Sequence, residues 1–475
     1  MPGPRATQEQ SPTGVLQLLS IARRNSLALS SSCLATHQTA KPLHLSPSAE
    51  SSTIEPPMGT RFKYLVFSAL TITVVVVAVE GISYVGLWWL AKYRDVHYRP
   101  LLLQQMSPSY QARLKDFLAG SSPISVYSST LGWEPAPNTS LYQGTYLTNS
   151  AGMRHQREFS PAAPDGITRI VSFGDSFTEG IQAANPDTWQ EQLMSTDSEL
   201  EVLNFGVGGY GPDQAYLRYR ERVEEYSHHI AMLGYMTENL NRVVNVYIPY
   251  YVGERAGAPV TKPRFVLEDD ALVLIPNPMG SPQDYQTLLQ QPDPALRRLG
   301  THDYYYNSRY KQGTLDFLRT LRLAKMGYYQ ARSESIRTRS GEYNPKSEAF
   351  KVTVAVIDAF YQDALDNDTV PVIVIYPTYW DITGFHLNRN RAYQPILDWL
   401  NAGDYLYLDL LEGFVEFGAD QPIRTLFASG AGHYSPLGNE LVARTVAAFV
   451  AERHLKDPQV RHSLIAELRA GRSRL

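Results

Sequence analysis

The sequence predicts an α/β fold, a three-layer α/β/α sandwich around a parallel five-stranded sheet. Three observations predict it. Five short apolar runs, at about 167–173, 200–205, 229–235, 370–376 and 405–410, read as strands buried on both faces. Stretches of helical character separate them, and strands joined by crossover helices run parallel. The first three runs each end in a turn rich in Gly, Ser or Asn, where a parallel sheet presents its binding edge.

The first strand, Ile167–Phe173, runs into Gly174-Asp175-Ser176-Phe177-Thr178-Glu179-Gly180. A serine in a glycine-flanked strand-to-helix turn is exposed to a ligand and sits at the positive end of a helix. The second strand leads into Asn204-Phe205-Gly206-Val207-Gly208-Gly209-Tyr210-Gly211, whose glycines let backbone amides approach a ligand. The third ends in Gly234-Tyr235-Met236-Thr237-Glu238-Asn239-Leu240-Asn241-Arg242. The gap before the fourth strand is too long for one crossover. Within it, Arg264–Glu268 and Ala271–Ile275 flank Asp269-Asp270 as a hairpin, and helices are expected at about 283–299, 307–335 and 345–367. Residues at about 246–345 therefore form an insertion over or beside the sheet's carboxyl edge. After the fifth strand, Gly432-His433-Tyr434-Ser435-Pro436 places a histidine on a loop before an apolar helix, from which it can reach back over the sheet.

Outside this domain, 151–455, four segments are expected. Residues 1–60, rich in Ser, Thr, Pro and Ala, read as a disordered tail. Met58 stands just before Arg61 and Lys63 and reads as an alternative translation start. Tyr64–Val79 is 16 residues without a charge, and 61–91 reads as a transmembrane anchor, spanning roughly 64–84, with Glu80 near one end and Trp88-Trp89 at the interface. No small-x-small cleavage site follows, so the anchor is expected to be retained. Basic residues flank both ends, so charge does not decide orientation; the domain is expected on the extracytoplasmic side. Residues 92–150 read as a juxtamembrane connector with a helix near Ser109–Leu118 and an Asn149-Ser150-Ala151-Gly152-Met153-Arg154 turn, and 456–475 as a C-terminal tail.

Composition excludes several classes. A net charge of −4 with 19% charged residues gives no polybasic footprint for nucleic acid. The single cysteine, Cys33, allows no intrachain disulfide and no Cys-based zinc site. His228-His229 on one strand point to opposite faces, so no metal is expected. The 31 tyrosines suit packing or a mixed-polarity ligand; Tyr247, Tyr250, Tyr251 and Tyr304-Tyr305-Tyr306 are candidates to line a sugar groove.

The serine, glycine, asparagine and histidine blocks occur in the order that marks the SGNH hydrolases, also called the GDSL esterase/lipase family. The resemblance spans about residues 145–455. It is nearest to membrane-anchored bacterial members, which pair an NSAGMR-like turn with GDSFTEG, here with Gly209-Tyr210-Gly211-Pro212-Asp213-Gln214 and Glu238-Asn239-Leu240-Asn241-Arg242. It implies a flavodoxin-like strand order, 2-1-3-4-5, and ester chemistry on acyl or acetylated substrates without a cofactor. By position, it makes Ser176 the nucleophile, His433 the general base, and the Ser176 amide, the Gly209 amide and the Asn239 side chain the oxyanion donors. Two positions depart from the pattern. Gly430 stands where an aspartate would orient the histidine, and Leu240 follows the asparagine. Asp420 and Asp409 are candidate substitutes for the missing acid, with a backbone carbonyl as the third option. Asp175 and Arg242 are candidate substrate contacts, against structural roles as a turn residue and on a solvated helix face.

Three functions remain open at this stage: a membrane-anchored serine esterase or acyltransferase on O-acyl groups of a glycan or polysaccharide, a catalytically weak glycan-binding protein, and a lipase or thioesterase. An acylated small molecule or glycan and the membrane are the expected partners.

Overall fold

The computed structural model describes residues 58–94, 108–253, 260–306, 310–311, 313–338 and 340–472. Cys33 and the expected tail up to residue 57 lie outside them. The chain divides into two units, Met1–Thr71 and Ile72–Leu475. What is described of the first is the beginning of one long helix.

That helix, α1 (Met58–Arg94), contains a 32-residue stretch, Phe62–Tyr93, long and apolar enough to cross a membrane, with mean hydropathy 2.3 over its most apolar 18-residue window. Its described side chains from 62 to 79 are all exposed. β-branched and aromatic residues on every face make a helix fit for lipid rather than for one side of a core.

The second unit is built on five parallel strands: β1 (Thr168–Phe173), β2 (Leu200–Asn204), β3 (Ile230–Met236), β4 (Val370–Tyr376) and β5 (Tyr407–Asp409). Across the sheet they lie in the order β5-β4-β3-β1-β2. Register aligns Ile170 with Ile230, Ile230 with Val370, and Ser172 with Asn204. Every residue of β1, β3 and β4 is buried, as expected of strands covered on both faces. Helices α2 (Trp189–Thr196) and α6 (Pro436–Glu452) pack together on one face, and α3 (Pro212–Arg222) and α5 (Glu348–Asp366) on the other.

The insertion contains the expected hairpin, Arg264–Glu268 with Ala271–Ile275, turned by Asp269 and Asp270 at positive φ. The single helix expected at 283–299 is two, Pro282–Gln290 and Pro292–Leu299, because Pro292 forces Gln291 out of helical geometry. Of the helix expected at about 307–335, the start at 307–309 lies outside the described residues, and α4 (Arg319–Ile336) forms the later part. A buried ion pair, Lys262 with Asp213, ties the insertion to the start of α3. The segment expected as a C-terminal tail holds another helix, Pro458–Arg472, packed on α5 and β4.

The connector does more than span a distance. After the helix Pro108–Leu118, a hairpin of Ser125–Ser128 and Gly132–Pro135 buries Leu131 and Trp133 against the domain.

Candidate active site

The turns after β1, β2 and β3 meet because their strands are neighbours. Their glycines let them touch. A Cβ on Gly206 would lie 2.3 Å from the Glu179 backbone nitrogen, and one on Gly174 would lie 2.1 Å from Thr178 Oγ1 and 3.2 Å from the Gly234 carbonyl oxygen. Any side chain at either position would force the three turns apart.

Ser176 opens a one-turn helix, Ser176–Glu179, whose N-cap is Asp175. Asp175 Oδ1 accepts from Phe177 N at 2.9 Å, fixing the turn that presents the serine. His433 reaches over from the loop before α6, and its Nε2 lies 2.7 Å from Ser176 Oγ. The ring sits 5.0 Å from the Phe177 ring. The next residue, Tyr434, packs on Phe177, Phe414 and Phe427 and donates to the Pro377 carbonyl oxygen, anchoring the histidine loop.

The orienting group is Gln182. Its Oε1 accepts from the His433 backbone N–H at 2.8 Å and lies 3.0 Å from Nδ1. A backbone N–H can only donate, so the Gln182 atom facing it is the oxygen. The same oxygen then requires a proton on Nδ1, which leaves Nε2 with its lone pair toward the serine hydroxyl. That is the tautomer a general base needs. Of the two candidate acids, Asp409 is placed elsewhere. Asp409 accepts from Tyr393 Oη at 3.0 Å and from Leu411 N at 3.0 Å and pairs with Arg391 at 3.6 Å. Asp420 ends the helix Leu411–Asp420, and its side chain lies outside the described parts. At Gly430, φ is +84°, a left-handed conformation that an aspartate adopts only at a cost.

Burial, and then the Arg242 charge, hold the His433 pKa down at about 4. A carboxylate at Nδ1 would oppose both effects; the Gln182 amide carries no charge to do so.

Three hydrogen-bond donors lie on the turns around the serine without partners. Among the described residues, the backbone N–H groups of Ser176 and Gly209 donate to no other protein group. The buried Asn239 amide makes no hydrogen bond of ordinary geometry, although it lies near enough to Asp175 to favour that carboxylate's charged form. Gly209 takes φ +87°, and its flanks are fixed: Trp133 Nε1 donates to the Gly208 carbonyl at 3.1 Å, and Arg242 Nη1 to the Tyr210 carbonyl at 2.8 Å.

Asp175 and Arg242 both make structural contacts. Asp175 is buried, and burial raises its pKa against the opposing pull of Arg242, whose Nη1 is 3.5 Å away. Arg242 also donates to the Tyr210 carbonyl and lies 3.9 Å from the Glu238 carboxylate. The tyrosines proposed for a sugar groove are also otherwise engaged. Tyr247, Tyr250, Tyr304, Tyr305 and Tyr306 are buried and stack among themselves, and Tyr251 packs on Tyr305 and donates to Glu238.

Arg154, from the Asn149–Arg154 turn, holds the loop that carries Gln182. It donates to the Gly180 carbonyl at 3.2 Å, the Ala183 carbonyl at 2.7 Å and Asn185 Oδ1 at 2.9 Å. Its guanidinium lies 3.9 Å from the centre of the Tyr146 ring, whose hydroxyl donates to buried Glu179 at 2.6 Å. Sequence reasoning marked this turn without assigning it a task, and missed Gln182 and Trp133, which no motif flags.

No protein-family model and no curated protein matches the sequence. Solved structures do. A G-D-S-L family protein from Desulfitobacterium hafniense is 14% identical over 59% of this chain and 98% of its own, with a TM-score of 0.29. A member of the lipolytic protein G-D-S-L family from Veillonella parvula is 12% identical over 59% of this chain and 96% of its own, with a TM-score of 0.26. The chain is similar to these G-D-S-L proteins.

Together, a hydroxyl, a neutral imidazole on it and three free donors form an arrangement that can carry acyl transfer.

Proposed function

We propose that the chain is a serine ester hydrolase of SGNH type that works through an acyl-serine intermediate. The observation that carries this reading is the 2.7 Å approach of His433 Nε2 to Ser176 Oγ, with Nδ1 held by Gln182.

In this reading Ser176 Oγ attacks the ester carbonyl as Nε2 takes the hydroxyl proton. The carbonyl oxygen becomes an oxyanion and meets the Ser176 and Gly209 amides and the Asn239 side chain. The C–O bond breaks, and the leaving alcohol takes the proton from Nε2. Water, activated by the same nitrogen, releases the acid and restores the serine. Each oxyanion donor contributes on the order of 3 kcal/mol to the transition state. No metal or cofactor enters this scheme.

For substrate we propose O-acyl esters, with O-acetylated saccharides as the class to test first. The buried tyrosines lend the saccharide no support, so the reading rests on the ester chemistry alone. Gln182 at the position facing Nδ1 weakens the argument for an inactive binding protein. The test is hydrolysis of a series of p-nitrophenyl esters, acetyl to long-chain, and of acetylated saccharides, by the full chain in detergent. Turnover abolished by Ser176→Ala, with short acyl chains preferred, supports the reading; equal rates in both proteins overturn it, and a long-chain preference transfers it to lipid esters.

A further inference from the structure

Helix α1 changes its surroundings at Glu80. From Phe62 to Val79 it is bare; beyond, Ser83 is buried and Gly86, Leu87, Leu90 and Ala91 are partly covered. These positions recur every three or four residues and so form one stripe along the helix. Glu80 begins that stripe. Its Oε2 accepts from Arg319 N at 2.7 Å and its Oε1 from Thr320 N at 3.0 Å, while Ser83 Oγ and Thr320 Oγ1 share a hydrogen bond at 3.0 Å. The carboxylate thus satisfies two of the N–H groups that the first turn of α4 leaves open, and its charge meets the positive end of that helix. The Arg319 guanidinium lies 4.9 Å from the centre of the Tyr84 ring.

Just before this contact, Leu315 and Phe317 expose 54% and 66% of their surface. Two large apolar side chains bared beside an apolar helix are an unfavourable surface in water. The bare stretch 62–79 fixes what covers them. At about 1.5 Å per residue it is about 27 Å long, close to the thickness of a bilayer's hydrocarbon core, so the lipid boundary falls at Glu80. Tyr84, Trp88 and Trp89, exposed just past it, are the residues that favour a membrane interface.

We propose that Leu315 and Phe317 are seated in the surface of the phospholipid bilayer that α1 crosses, giving the domain a second membrane contact beside its anchor. Glu80 is the clasp that holds this contact at the level of the interface. The proposal rests on α1 being a span and is independent of the ester chemistry.

The test uses the full chain with Cys33→Ser, reconstituted in phosphatidylcholine–phosphatidylglycerol vesicles. A polarity-sensitive fluorophore is attached through Phe317→Cys or, in a second protein, Leu315→Cys. Val75→Cys reports the span and exposed Ser340→Cys reports water. Expected are a blue-shifted 317 or 315 probe quenched by lipids spin-labelled near the headgroup, a 75 probe quenched by deep labels, and a 340 probe quenched by neither. Adding Glu80→Ala should return the 317 probe to water and leave the 75 probe in lipid. A 317 and 315 signal like that at 340, with 75 still quenched, overturns the seating alone. Loss of quenching at 75 overturns the span and the seating with it. Blue shift at 317 without lipid quenching assigns the patch to a protein contact and also overturns the proposal.

Discussion

Gln182 Oε1 accepts from both the backbone N–H and the Nδ1 of His433, so one amide oxygen fixes the loop and the ring together. The bond to the ring replaces a carboxylate with a neutral dipole. Hydrogen bonds to a charged partner are worth about twice those to a neutral one. The imidazolium formed during turnover is correspondingly less stabilised here.

Gln182→Glu should therefore raise the basicity of His433 and move the acidic limb of kcat/KM to higher pH. Gln182→Met removes the acceptor and frees the ring to choose the wrong tautomer, and should lower kcat by about tenfold or more. A pH–rate profile of the three proteins separates these outcomes. A residue that merely filled space would change kcat in neither direction and leave the profile in place.

In the unaltered protein, burial and Arg242 put the His433 pKa at about 4, below its ordinary value near 6.5. The base is active when neutral. Activity should thus persist through pH 5–6 and fall only as pH approaches about 4. Folding linkage has the matching sign. A depressed histidine pKa stabilises the fold fully above about 6.5 and loses that contribution as pH drops toward 4. Activity measured at each pH after return to neutrality distinguishes titration of the base from unfolding.

Asn239→Ala removes one buried donor beside the serine turn and keeps the backbone of that turn. The expected result is a loss of about 10²–10³ in kcat with little change in KM. Thermal melting of the variant should match the parent within a few degrees.

Arg154→Leu should act at a distance. It releases the Gly180 and Ala183 carbonyls and so loosens the loop bearing Gln182. Activity is expected to fall, and part of the loss should be masked in an Arg154→Leu/Gln182→Met double variant, because both changes remove the same support.

Asp213→Ala should cost about 3–5 kcal/mol of stability, since it strands the buried Lys262 ammonium. Replacing both partners with apolar residues should recover much of that. Denaturant unfolding of the domain in detergent reads both.

The sheet was legible because its strands are short, continuous apolar runs, a pattern that holds whatever packs against them. Val370–Tyr376 was placed to the residue for that reason. The insertion was less legible. Its helices are cut by Pro292 and by the irregular stretch before Arg319, where periodicity does not set the boundaries. That Ser176 and His433 should meet could be read from chain-local blocks. Gln182 could not, because an amide side chain near a turn carries no signal until the histidine is brought to it across 251 positions. The tyrosines misled for a related reason: composition counts rings, and only packing tells which ones face a ligand.

Ser176 and Gln182 belong to one short stretch, strapped down by Arg154, and they hold opposite edges of the same imidazole. The histidine loop therefore docks into a single jaw. Withdrawing it would break the bond to Ser176 and the bonds to Gln182 in one movement, so the ring keeps or loses both supports together.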